Sequence, residues 1–103
     1  MEGFRTEGFT AKDLFNAASA TPIKSLKGSS IEVTDVMVSV NSDGELVGYM
    51  KDTQGIIYAT ISSTVIDQLK PLAELLDDAS SIRIGVISKT SDNDREYFML
   101  ELV

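Results

Sequence analysis

From residue 31 onward the hydrophobic positions change period twice, and the changes mark out the elements. Residues 31–40 alternate as a strand with a fault at the centre: Ile31 and Val33 share one parity, while Val36, Val38 and Val40 share the other. A one-residue bulge near Thr34 and Asp35 would bring both sets to one face. Strands at about 45–51 and 56–61 come next, bounded by the turn sequences Asn41-Ser42-Asp43-Gly44 and Asp52-Thr53-Gln54-Gly55. From Ser62 the period lengthens to nearly four, and Val65, Ile66, Leu69, Leu72, Ala73, Leu75 and Leu76 draw an apolar stripe along a helix. Pro71 falls inside it. The missing donor and the ring's clash with the preceding turn predict a kink, or two short helices meeting at Lys70 and Pro71. Ile82, Ile84 and Val86 then alternate in a fourth strand and Phe98, Leu100 and Leu102 in a fifth, joined by the polar loop Thr90-Ser91-Asp92-Asn93-Asp94.

The first thirty residues are less regular. Glu2-Gly3-Phe4 and Glu7-Gly8-Phe9 form a repeat too brief to be architectural, and its rings are expected to dock on the rest of the domain, with residues 1–10 a candidate flexible arm. Thr10 can cap a short helix through Leu14 and Phe15, with Asp13 at the third helical position as in a capping box. Pro22 ends that helix, and Gly28-Ser29-Ser30 leads into the first long strand.

Three strands, one helix and two strands is the order of the five-stranded oligonucleotide/oligosaccharide-binding (OB) barrel, whose helix lies between the third and fourth strands. The expected fold is therefore mainly β: one OB-type barrel over residues 1–103, with a short N-terminal helix added. The 103 residues, 43% of them hydrophobic, suffice for one modest core and leave no room for a second domain. No run approaches the roughly 20 apolar residues of a membrane span, and the N-terminus is polar where a signal peptide would be apolar. A soluble, cytoplasmic protein is expected.

Alternation also assigns faces. With Ile57, Ala59 and Ile61 directed to the core, Tyr58 and Thr60 point outward; with Leu46, Gly48 and Met50 inward, Tyr49 and Lys51 point outward. On the last two strands Arg83, Lys89, Arg95, Tyr97 and Met99 take the outer parity. All three tyrosines thus share the outer face with cations, an arrangement suited to stacking bases and neutralising phosphates of a single strand. Lys24 and Lys27 in the loop before the first long strand extend the candidate phosphate contacts. The formal charge of -7 opposes this reading, since phosphate binders normally present a basic face. Asp67, Glu74, Asp77 and Asp78, however, gather much of the acid on one helix that only Lys70 opposes.

The chain has no histidine and no cysteine, so it lacks the usual proton shuttle, thiolate nucleophile and soft-metal ligands. Asp77-Asp78 and Asp92-Asn93-Asp94 fall at a helix end and in a turn, where acids are commonly solvated, and no glycine-rich phosphate loop is present. No catalytic residue, metal site or cofactor is expected.

The run Gly55-Ile56-Ile57-Tyr58-Ala59-Thr60-Ile61-Ser62-Ser63-Thr64-Val65 resembles the single-stranded DNA-binding proteins of terminal-protein-primed phages, the phi-29 group. Leu14-Phe15-Asn16-Ala17, Ser25-Leu26-Lys27 and Tyr97-Phe98-Met99-Leu100-Glu101-Leu102 add weaker matches in the same order. The resemblance implies a barrel that coats displaced strands during phage replication, at high copy number and with little sequence preference. Replication proteins are candidate further partners, and weak binding per protomer would make protection of long strands depend on molecules bound side by side. It carries a DNA contact over to Tyr58. The tyrosines that the family has around its first strand are replaced here by Met37, Val38, Ser39 and Val40, so Tyr49 and Tyr97 rest on parity alone. A second class also fits: a protein-interaction module, an inhibitor or replication accessory, that docks through the acidic helix. A small hydrolase or sugar-binding barrel would need an acid/base pair that the chain does not offer.

Overall fold

Residues 3–103, the span described by the computed structural model, form one sheet that curls into half a barrel around a helix. Met1 and Glu2, which begin the candidate arm and the first repeat, lie outside the described residues. The strands are β1 Phe4–Arg5, β2 Thr21–Pro22, β3 Ser30–Val40, β4 Leu46–Asp52, β5 Ile57–Thr60, β6 Ile82–Thr90 and β7 Glu96–Leu102; the α-helices are α1 Ala11–Asn16 and α2 Ser63–Leu76. Along the sheet the order is β2-β5-β4-β3-β6-β7, with β1 added to β3. All neighbours are antiparallel except β2 and β5.

The curl begins at the bulge. Val33 faces Asp52 and Asp35 faces Lys51, so Thr34 is the extra residue on β3. The shift puts Val33, Val36 and Val38 together in the core, as the fault in the alternation required. It also divides the strand: Ser30–Val33 pairs with β6, while Met37 and Val38 pair with β1. Gly44 and Gly55 close the two following turns at φ of +79° and +83°, a region that side chains disfavour.

The helix α2 turns Val65, Ile66, Leu69 and Leu72 onto the concave face of the sheet. It can settle there because β4 carries Gly48, where a Cβ would stand 2.6 Å from Leu69 Cδ1. Two short helices meeting at Lys70 and Pro71 do not form, and Ser63–Leu76 is one helix with Pro71 inside it. Pro71 and Asp67 both lie on the exposed side, so water can reach the Asp67 carbonyl that the proline leaves without a donor. Thr10 and Asp13 form the anticipated capping box of α1: the Thr10 N–H donates to Asp13 Oδ2 and the Asp13 N–H to Thr10 Oγ1.

The convex face is covered as well. Phe9, 1% exposed, packs on Met37 and Ile57, with Tyr49 and Ala20 at the margin of this second, smaller cluster. No helix among the described residues is long and apolar enough to cross a membrane.

Candidate nucleic-acid interface

Each tyrosine has different surroundings. Tyr58 is 8% exposed and belongs to the main core, which corrects the outward orientation expected of it. It faces Met50 across β4 and β5, while Ile57 faces Lys51 on the convex side. The parity argument misassigned this strand because both faces of β5 are apolar: Ile57 is buried under Phe9, so hydrophobicity no longer identifies the core face. Ile61, expected in the core, is 75% exposed beyond the end of β5. The Tyr58 hydroxyl donates to Asp52 Oδ2 at 3.4 Å, and Asp52 Oδ1 accepts from the N–H groups of Gln54 and Ile56 at 2.9 Å each. Burial, followed by the Asp52 charge, raises the Tyr58 phenol above its ordinary value of 10.0.

Tyr49 and Lys51 do lie on the convex face, but residues 6–13 cover them. The Tyr49 and Phe9 rings are 6.4 Å apart at a tilt of 54°. Lys51 Nζ donates to Gly8 O at 2.6 Å and to Asp13 Oδ2 at 2.7 Å, and lies 3.8 Å from Asp35 Oδ2. Its side chain is only 15% exposed, so this cation is already neutralised within the fold. Burial alone would raise the Asp13 carboxyl. The hydrogen bonds from Lys51 and from the Thr10 N–H and hydroxyl outweigh it and hold the group below its usual 3.8.

The outer face of the β6–β7 hairpin brings three of the expected residues together. Tyr97 stands directly opposite Lys89, and Ile87 opposite Met99, on the face that Val86 and Leu100 leave for the core. Arg95, of the same parity as Tyr97, begins the return into β7. Lys89 and Arg95 are exposed and make no ion pair among the described residues. Tyr97 is half-buried.

The remaining cations divide. Lys27 Nζ holds Glu96 Oε2 at 2.7 Å, and this bond together with one from the Ser88 hydroxyl lowers the Glu96 carboxyl. Lys24 is exposed in the 3-10 turn Ile23–Leu26, at the rim of a cavity of about 430 Å3 between β5 and β7. Sequence reasoning did not find this cavity. It exists because, among the described residues, β7 pairs only with β6 and the sheet ends at β2 beside β5, and no local pattern signals a pairing that is missing. No family model matches the chain, and neither a curated protein nor a solved structure matches it.

Proposed function

We propose that this protein binds single-stranded DNA without reading its sequence, as a non-enzymatic OB-type barrel open at one seam. In this reading β3, β4, β5, β6 and β7 are the five strands of the barrel and α2 is the helix between the third and fourth. The observation that carries the proposal is the cluster of Tyr97, Lys89 and Arg95 on one open face. A ring on a sheet stacks with any base, and the flanking cations take the phosphates on either side. The ordered likeness to the phi-29 group supports the reading and extends it to the coating of displaced strands in phage replication.

Tyr58 drops out of the interface, since a core ring cannot stack on a base without unfolding its strand. Tyr49 and Lys51 belong to a face that residues 6–13 occupy. The absence of tryptophan leaves the tyrosines as fluorophores. Titration with oligo(dT) at low salt should quench the share of their emission that comes from Tyr97, and duplex DNA should not. Tyr97→Ala should weaken oligo(dT) binding by about 1–3 kcal/mol, roughly five- to 150-fold in Kd. An unchanged affinity in this variant would sink the proposal.

The exposure of Asp67 and Glu74 on α2 and of Asp77 and Asp78 at its C-terminal end favours the second reading, a protein partner docked on that helix. Charge reversal at Asp67, Glu74 and Asp77 separates the two. It abolishes such docking and preserves or strengthens binding of a single strand.

A further inference from the structure

The free edge of β7 carries hydrogen-bonding groups that no strand uses. Val86 and Leu100 face each other, yet the Val86 N–H donates to Ser29 O, and Val86 O accepts from the Gly28 N–H, both away from β7. On the other side the Leu100 N–H donates to Gln68 Oε1 at 2.7 Å, and Gln68 Nε2 donates to Leu100 O at 2.8 Å. This pair is therefore a non-hydrogen-bonded one. In an antiparallel ladder the pairs alternate, so Ser88 and Phe98, two residues along, form another. The N–H and C=O of Phe98 accordingly point outward from the sheet, into the gap between β7 and the edge formed by β2 and β5, where no strand among the described residues receives them.

The cavity of about 430 Å3 occupies the same gap. The Phe98 ring lines it with Ile23, Val47, Ala59 and Ile61, and Lys24 stands at its rim without an ion pair among the described residues. An apolar slot, one outward-facing donor and acceptor, and a single cation match an unpaired nucleobase and its phosphate. The Gln68 carboxamide shows how such an edge is met, because its C=O and NH2 close a two-bond ring on the Leu100 backbone. Thymine, cytosine, adenine and guanine all present a neighbouring donor and acceptor along one edge.

We propose that this seam is a base-binding subsite: a nucleobase of the bound strand enters the cavity beside Phe98, bonds the Phe98 N–H and C=O as Gln68 bonds Leu100, and leaves its phosphate against Lys24. The subsite rests on the single-strand reading above and adds to it a second anchor on the opposite face of the same edge strand. Because every base can meet a backbone N–H and C=O, the subsite holds a base without selecting which one.

The test follows the Phe98 amide and the Ala59 and Ile61 methyl groups by NMR in the intact protein. It compares thymidine 5′-monophosphate, oligo(dT) and an oligonucleotide of the same length whose sugars carry no bases. The first two should move all three resonances and the third should leave them in place. Ala59→Phe, which fills the slot, should weaken oligo(dT) binding at least about fivefold, the loss of one stacked base. If oligo(dT) shifts Tyr97 and Lys89 but not these three resonances, the subsite is overturned and the hairpin interface stands. If oligo(dT) binds nowhere, the single-strand reading falls and the mononucleotide decides the cavity: movement keeps it as a nucleotide site, and silence overturns it. Saturation by a short alternating Val/Thr peptide, with no response to the mononucleotide, would assign the edge to a protein strand and overturn the proposal.

Discussion

Tyr58 and Tyr97 carry the same ring into different surroundings, so their truncation should fail in different ways. Tyr58 fills the core next to Met50 and satisfies its hydroxyl on Asp52. Tyr58→Ala should cost about 3–5 kcal/mol of stability, read as a lower urea midpoint, because a cavity replaces a buried ring. Tyr97→Ala should move that midpoint by less than about 1 kcal/mol while reducing affinity for oligo(dT). The residue scale is also where the sequence misled. Tyr49 and Tyr97 were legible as convex-face residues because Leu46, Gly48, Met50 and Leu100 set a clear parity on their strands. Tyr58 was not, because Ile57 is as buried as the core residue beside it.

At the scale of elements, α1 is held to the sheet by the contact between Lys51 and Asp13, and that contact depends on pH. The Asp13 carboxyl has a lower pKa in the folded chain than its ordinary 3.8. Its contribution to stability is therefore complete above that value and is lost as pH falls through the folded-state pKa. Urea unfolding across about pH 5 to 2 should show this loss, and Lys51→Met should reduce it, because the Lys51 bond that helps lower the Asp13 pKa is gone while those from Thr10 remain. In α2 the interior proline carries a cost without breaking the helix. Pro71→Ala restores a donor to the Asp67 carbonyl on an exposed face and should raise stability by about 1–3 kcal/mol, read from the same denaturation. The capping box of α1, the bulge at Thr34 and the glycine turns were all readable locally, since each depends on residues within one short stretch.

For the whole molecule, charge does not favour the hairpin as a whole, since Asp92, Asp94, Glu96 and Glu101 outnumber Arg83, Lys89 and Arg95 there; the proposed contact depends on the face that Lys89 and Arg95 share with Tyr97. Asp67 and Glu74 lie on the exposed side of α2, with Asp77 and Asp78 exposed just past its end, and the other side of the helix packs on the concave face, whereas Lys89 and Tyr97 project from the convex one. The proposed interface offers the strand only a few cations, so the logarithm of affinity should fall only gently with the logarithm of salt, at about -0.7 for each phosphate contacted. With Lys24, Lys89 and Arg95 as the contacts, the slope should be near -2, and a much steeper value in a titration series would mean that other cations take part. Weak binding per protomer would then leave long strands dependent on many molecules bound along them.

The sequence by itself determined the order and extent of the long strands, the position of α2 and the caps and turns between them. Those are set by neighbours a few residues apart, through periodicity and backbone preference. The tertiary structure alone decided that residues 6–13 cover Tyr49 and Lys51, that Tyr58 faces inward and that a seam remains between β5 and β7. Each of these depends on which distant segment arrives at a surface, or fails to arrive. A strand apolar on both faces, like β5, has an alternation that cannot say which of its two neighbours is the core.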